Sequence, residues 1–381
     1  MEKIKALIIT GTMHLGGIEN QLMHLLRNAD ASRFQIDYTS TIQDAYYRSE
    51  IESLGGQYLV IPHMSHTNPF PYCKSLYRIM KNGRYDVVHS HELFHSGIVL
   101  LVAALAGVPV RIAHAHNWQE GDGTGKRKSL LRRAYNTVMR WLILSCSTHQ
   151  LACSSLAGKF LYGEKCTGKD SYHLVFNSVD TAKFLDLYDQ KETGEFCDGW
   201  CNVLQVGRVT CVKNQLFLTE IAAEFKRRGR KIRILCAGSG DAAYTAQVNH
   251  EIAEQNLQEY MHLLGNRSDI DVLMRKANAF VLPSRYEGMP LVLIEAQASG
   301  LPCVAADTFS HEVDFETGKL RWLPLDGDAA AWADAIEDAV SAGRSDKVRV
   351  MQAVAEKRFD SRMFAETLCE IYQNAVLDRR L

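Results

Sequence analysis

The sequence has no apolar run long enough to cross a bilayer: the longest, 97–110, covers about 14 residues where a spanning helix needs about 20. That stretch reads as a buried helix followed by a strand. The opening residues hold only a short apolar run before Gly11, Gly16 and Gly17, so they read as a first strand rather than a secretory signal, and a cytoplasmic location is expected. A charge excess is missing too. The net charge of -1 excludes a protein built around a global field for nucleic acid, and no nucleic-acid partner is expected. The cysteines show no framework spacing, which excludes a disulfide scaffold, and Cys197 and Cys201 have no matching Cys or His pair nearby to complete a metal site. Low-complexity segments and internal repeats are absent, and the hydrophobic content is ordinary for a globular chain.

What the sequence does have is a repeated alternation of short β-rich runs with longer helical patterns, the signature of βαβ units and parallel sheets. Strands are predicted at 5–10, 35–40, 57–61, 87–89, 110–114 and 149–153, and again at 202–206, 231–237, 261–264, 279–282 and 302–305. The chain is too long for one ordinary core, so two Rossmann-like, doubly wound α/β domains are expected. Residues 1–185 form the first, 186–200 a polar linker and 201–361 the second. A last helix, 362–381, with Phe364, Leu368, Ile371, Tyr372 and Val376 on one face, has no strand after it and is expected to pack back on the first domain. In such folds ligands bind beyond the carboxyl ends of the strands, so the functional residues belong on strand-to-helix loops around a cleft.

The richest of these loops lies after the strand 279–282. Pro290 stands where a helix begins, Gly300 supplies a left-handed cap, and Pro302 stops continuation. The free N–H groups of that helix start suit a phosphate. Glu287, just ahead, is placed to accept hydrogen bonds either from sugar hydroxyls or from those N–H groups. Glu295 sits among Leu291, Val292, Leu293, Ile294 and Ala296, where a carboxylate is costly without partners. Paired ribose hydroxyls would satisfy it, and so would backbone groups or a core arginine. Upstream, the strand 203–206 runs into Gly207-Arg208-Val209-Thr210-Cys211-Val212-Lys213-Asn214. The glycine allows close approach, and Arg208 and Lys213 carry the charge to neutralise a diphosphate without metal; taken alone they equally fit a surface turn.

Two glutamates with seven residues between them, inside Pro283-Ser-x-x-Glu287-Gly-x-Pro290-x-Val-Leu-Ile-Glu295-Ala-x-Ala-x-Gly300-x-Pro302, together with Gly207-Arg208-x-x-x-x-Lys213-Asn214, resemble glycosyltransferase family 4, most of all its capsular and exopolysaccharide branch. The resemblance implies a retaining enzyme of the two-Rossmann-domain (GT-B) fold that moves a sugar from a nucleotide diphosphate sugar, UDP-linked first and GDP-linked second, to a glycan or lipid-linked acceptor. It places Glu287 beside the donor sugar, Glu295 on the ribose, and Arg208 and Lys213 on the diphosphate. It sets Gly207, Gly238, Leu264, Gly265, Gly288, Met289, Pro290 and Leu291 around the donor. No metal or other cofactor is expected. Asp269 and Asp271 look superficially like a metal-binding pair, but Ser268 and Asp269 read more simply as a helix cap.

In the first half, Gly16-Gly17 opens a helix after the first strand without a dinucleotide fingerprint; the resemblance brings this backbone close to donor phosphate and acceptor. Glu19 either faces the cleft or stabilises the helix start. His114 and His116 share one face at the end of a strand. His116-Asn117 resembles the family's step whose histidine hydrogen-bonds the donor sugar, and a satisfied core histidine is the alternative. His91 and His114 are expected on the acceptor side with Glu19. The segment 126–142 alternates Lys126, Arg127, Lys128, Arg132, Arg133 and Arg140 with apolar residues, a pattern fitting either the anionic inner face of the plasma membrane or a solvated helix packed on its own domain. Two other readings fit the same architecture: an enzyme like UDP-GlcNAc 2-epimerase, which needs no acceptor, and a non-catalytic partner subunit.

Overall fold

The structure is a computed structural model, and it describes residues 3–14, 16–64, 68–117, 130–166, 168–185 and 195–380. It contains two parallel sheets. The first holds β1 (Ile4–Ile9), β2 (Phe34–Ser40), β3 (Tyr58–Val60), β4 (Val87–Ser90), β5 (Val110–Ala115), β6 (His149–Ala152) and β7 (Tyr172–Leu174), in the order β3-β2-β1-β4-β5-β6-β7. The second holds β8 (Cys201–Val206), β9 (Ile232–Ala237), β10 (Met261–Gly265), β11 (Ala279–Leu282), β12 (Cys303–Ala306) and β13 (Leu320–Leu323), in the order β10-β9-β8-β11-β12-β13. Both orders reverse direction once, between β1 and β4 and between β8 and β11, which is the doubly wound arrangement expected from the sequence.

The reason for the layering is visible in β1, where successive side chains go to opposite cores. Ala6 and Ile8 join Leu22, Leu25 and Tyr38 on one face; Leu7 and Ile9 join Leu76, Val88 and Val99 on the other. Helix Ser361–Arg380 completes the first of these cores by burying Phe364, Ala365, Leu368, Tyr372, Ala375 and Val376. Ile371, placed on the same face from the sequence, packs there only in part.

The chain divides into two compact units, the described residues up to 178 with 361–380, and 179–360. The division at 178 precedes the expected boundary at 185. Val179 donates its N–H to the carbonyl of Phe359 at 2.9 Å, and Thr181 bonds Asp360, so helix Thr181–Leu185 belongs to the second unit. Of the expected linker, residues 186–194 lie outside the described set. Beyond them, Asp198 pairs with Arg233 at 2.7 Å and Glu195 with Arg267 at 3.2 Å, anchoring that stretch to the second unit. Two edge strands, β7 and β13, add to the eleven that the sequence predicts. Asp269 precedes helix Ile270–Lys276 but makes no side-chain cap; its carboxylate is held by Arg267 at 2.8 Å instead. Among the described residues, no helix is long and apolar enough to cross a membrane.

Candidate functional site

In the second unit, the loops leaving β8 and β11 flank the point where strand order reverses, where ligands bind in open α/β sheets. The floor is made of glycine. Gly207, Gly238 and Gly265 end β8, β9 and β10, and their chains touch: Gly238 N–H donates to the Gly265 carbonyl at 2.8 Å, and Gly207 N–H to Ala237 at 2.9 Å. A Cβ on Gly238 would stand 2.2 Å from the Gly207 carbonyl oxygen, at a φ of +138° that side chains rarely adopt. Substitution by Ala therefore forces the β8 loop away. Gly238→Ala is expected to lower Tm by several degrees, about 1–3 kcal/mol of strain, and to weaken nucleotide binding; calorimetry with and without UDP checks both.

Arg208 follows Gly207 and is exposed. Lys213 folds back over Gly207, where an added Cβ would come within 2.9 Å of its Cε. Its ammonium donates to Glu287 Oε1 at 2.5 Å, and both side chains are largely buried, 17% and 15% exposed. Two residues assigned separately from the sequence, one to diphosphate and one to sugar, are thus brought into one ion pair. Asn214, in the left-handed conformation at the start of helix Gln215–Arg227, accepts from Arg285 Nη2 at 3.3 Å, and Arg285 N–H donates to Val212 at 2.8 Å. These bonds tie the β8 loop to the β11 loop.

Helix Leu291–Ala298 starts at Pro290 with no side-chain cap, and Gly288, Met289 and Pro290 are buried beneath it. Of its first-turn N–H groups, Leu293 donates to the Pro290 carbonyl at 3.1 Å, while those of Leu291 and Val292 make no hydrogen bond among the described residues. Glu295 makes no hydrogen bond to backbone or arginine among the described residues. Burial pushes its carboxyl up to about 7, with Lys183 opposing and Asp271 adding to the rise. Lys183 itself pairs with Asp271 at 3.4 Å. Leu264 is half-buried beside Gly265, which holds φ +65°.

In the first unit, Gly16 precedes helix Gly17–Asn28, and a Cβ there would meet the Glu19 carboxylate at 2.3 Å. Glu19 Oε1 also accepts from Thr12 at 2.7 Å, so this side chain folds back over the helix start, the second of its two readings. His91 and His116 are joined by a 2.8 Å hydrogen bond, Nδ1 to Nε2, and burial pushes the His116 imidazole down to about 4. His89 Nδ1 bonds the Tyr372 hydroxyl at 2.6 Å. His114 is 1% exposed among the other imidazoles. It lies in the core rather than on an acceptor-facing surface, because alternation fixes which residues share a face and not whether that face is covered. Nitrogens of His89, His91 and His114 lie within 4.8 Å of one another, a spacing from which a transition metal could be ligated. The sequence did not single out Glu92, which follows His91 and accepts from Tyr72 at 2.7 Å. A carboxylate directly after a strand-terminal His-Ser-His was the available signal.

Helix Leu130–Cys146 buries Met139 and Ile143 and exposes Leu130, Leu131, Val138 and Trp141 beside Arg132 and Arg133. Arg140 does not join that basic face: it donates to the carbonyls of Phe160 and Leu161 at 2.7 and 3.0 Å, drawn in by the unsatisfied end of helix Ser155–Tyr162. Lys126, Arg127 and Lys128 lie outside the described residues.

Two Rossmann sheets, one carrying a glycine floor with a basic loop and an uncapped helix start at its switch point, define a two-domain α/β protein of the GT-B class. Models of two families match the chain, "Glycosyltransferase Family 4" over residues 15–183 and "Glycosyl transferases group 1" over 201–342. The chain is 34% identical over 376 residues to EpsF of Bacillus subtilis (strain 168), described as a glycosyltransferase, covering 97% of this chain and 96% of that one. An Escherichia coli UDP-Gal:alpha-D-GlcNAc-diphosphoundecaprenol alpha-1,3-galactosyltransferase is 28% identical over 243 residues, 61% of this chain and 60% of its own. Among solved structures, Anabaena HepE in complex with UDP-glucose superposes with a TM-score of 0.76 at 17% identity, covering 97% of this chain and all of that one (100%). The chain belongs to glycosyltransferase family 4 and is a glycosyltransferase.

Proposed function

We propose that this glycosyltransferase transfers a sugar from a UDP-sugar to a lipid-linked glycan acceptor in cell-surface polysaccharide synthesis, with retention of anomeric configuration and without metal. The observation that carries the reading is the pair Arg208 and Lys213 on the glycine-floored loop after β8, next to an uncapped helix start. Lys213, held by Glu287, the exposed Arg208 and the N–H groups of Leu291 and Val292 supply the positive field that a departing diphosphate needs, so no divalent ion has to do so. Glu295, whose carboxylate lacks a protein partner among the described residues, accepts from the ribose hydroxyls, and Glu287 accepts from the donor sugar.

His116, held by His91, hydrogen-bonds the donor sugar. No carboxylate is needed as nucleophile: the acceptor hydroxyl attacks on the leaving-group side, and a donor phosphate oxygen takes its proton. The similarity to a galactosyltransferase whose name prints UDP-Gal and a diphosphoundecaprenol acceptor supports the donor and acceptor classes. The exposed Leu130, Leu131, Val138 and Trp141, with Arg132 and Arg133, support peripheral contact with the anionic inner face of the plasma membrane.

UDP at about a hundred times its Kd is expected to stabilise the protein by about 2.7 kcal/mol, several degrees in Tm, and GDP and ADP by much less. The UDP shift should survive EDTA, and NMR of the product should give the donor's anomeric configuration. Equal shifts with all three nucleotides, or loss of the UDP shift in EDTA, would overturn the corresponding part of the reading. Epimer formation from UDP-GlcNAc alone would replace it.

A further inference from the structure

The first sheet has a switch point of its own, and the chain has built a cavity there. It lies at the carboxyl ends of β1, β2 and β4 and encloses about 330 Å³, at the small end of ligand pockets (about 300–1,000 Å³) and sized for a single sugar ring. Thr12 and Thr41 come from the loops after β1 and β2, His63 from the loop after β3, and His91 and Glu92 from the end of β4. All of these belong to the first unit.

Glu92 is the unusual member. One carboxylate oxygen, Oε2, accepts from Tyr72, which is itself 1% exposed. The other, Oε1, has no hydrogen bond among the described residues. On the adjoining wall, His91 Nδ1 is occupied by His116, while its Nε2 is buried without a hydrogen-bond partner. Thr12 adds a hydroxyl whose proton is committed to Glu19, so its oxygen accepts. The described lining contains no lysine or arginine. A cavity that offers the Thr12 oxygen and the free oxygen of a half-buried carboxylate suits the hydroxyls of an uncharged sugar and repels a phosphate or carboxylate.

We infer that this cavity is the subsite for the terminal sugar of the acceptor, that Glu92 is its recognition residue, and that it selects an uncharged pyranoside over a uronic acid. The inference rests on the proposed transferase reading and adds the chemical class of the acceptor sugar. Tyr72 is a positioning residue, fixing the carboxylate so that Oε1 is presented to the cavity.

Saturation-transfer NMR on the full-length protein tests this with methyl glycosides of glucose, galactose and N-acetylglucosamine, and with methyl glucuronide, UDP being present as an internal control. At least one neutral glycoside should show transfer and the glucuronide none. Glu92→Gln should weaken the neutral glycoside by about tenfold or more, as loss of a charge-assisted hydrogen bond does, with the UDP signal unchanged. Tyr72→Phe, which keeps the carboxylate but releases it, should weaken it by a smaller factor. Should Glu92→Gln fail to fold, Tyr72→Phe carries the test. No signal from any neutral glycoside, equal signal from the glucuronide, or unchanged binding in the variants overturns the inference. A missing UDP signal in the wild-type protein counts instead against the transferase reading.

Discussion

Lys213→Ala lowers the rate of sugar transfer by about a hundred- to a thousandfold, the usual cost of removing one preorganised group from a site of developing charge. Its ammonium is 2.5 Å from Glu287, and the two side chains are 17% and 15% exposed, so the pair sits in a poorly solvated place where a charge acts strongly. When the sugar leaves, negative charge grows on the diphosphate. Lys213 is then shared between Glu287 and that charge, while exposed Arg208 supplies a second cation. Removal of Lys213 costs twice, because the leaving group loses a partner and Glu287 is left uncompensated beside it. The double variant Lys213→Ala, Glu287→Gln should therefore be less impaired than the product of the single losses, since residues in direct contact do not act additively. Single-turnover rates with a UDP-sugar, together with Tm for each variant, check this. A Lys213→Ala rate within about threefold of wild type at unchanged Tm would remove Lys213 from the leaving-group role.

How far the sequence foretold this site depends on what each residue needed. Gly207, Arg208, Lys213, Glu287 and Glu295 were legible because loop chemistry at strand ends is local: a glycine, a charge and a helix start lie within a few residues of one another. The meeting of Lys213 with Glu287 was not, because it joins loops after β8 and β11, 74 residues apart. The same limit moved the domain boundary. Helix Thr181–Leu185 carries no signal of the unit it joins until Val179 and Thr181 find Phe359 and Asp360. Of the two strands missed, β7 and β13, each is a short edge strand with half-exposed residues, lacking the apolar run that marked the buried central strands. The histidines teach a related lesson. Period-two alternation correctly put His114 and His116 on one face, but it could not show that His114 lies in the core beside His89, which helix Ser361–Arg380 covers with Tyr372.

Glu295→Gln should stabilise the ligand-free protein and weaken UDP binding, and pH separates the two effects. Burial pushes this carboxyl from an ordinary 4.5 up to about 7, so the folded state prefers the protonated form. The contribution of the group to stability is then fully present below the unfolded value near 4.5, falls as pH rises through about 7, and is constant above. At pH 8 the native protein holds a poorly solvated carboxylate, and Lys183, the cation that acts on it, is already engaged with Asp271 at 3.4 Å. Glutamine removes that charge, so Tm should rise at pH 8 and change little at pH 5. Binding runs the other way. Ribose hydroxyls are best received by the ionised carboxylate, so UDP must displace a proton below about pH 7, and its affinity should rise about tenfold from pH 6 to well above 7. In the Gln variant that dependence should flatten, and affinity at pH 8 should fall by about ten- to a hundredfold, the value of a charge-assisted pair of hydrogen bonds. Calorimetric titration of UDP across this pH range, beside melting curves without it, measures both. A variant that binds UDP as wild type does at pH 8 while melting higher would leave Glu295 a destabilising residue with no part in donor recognition. One that binds weakly and melts lower would mean that its carboxylate has a protein partner in the ligand-free state.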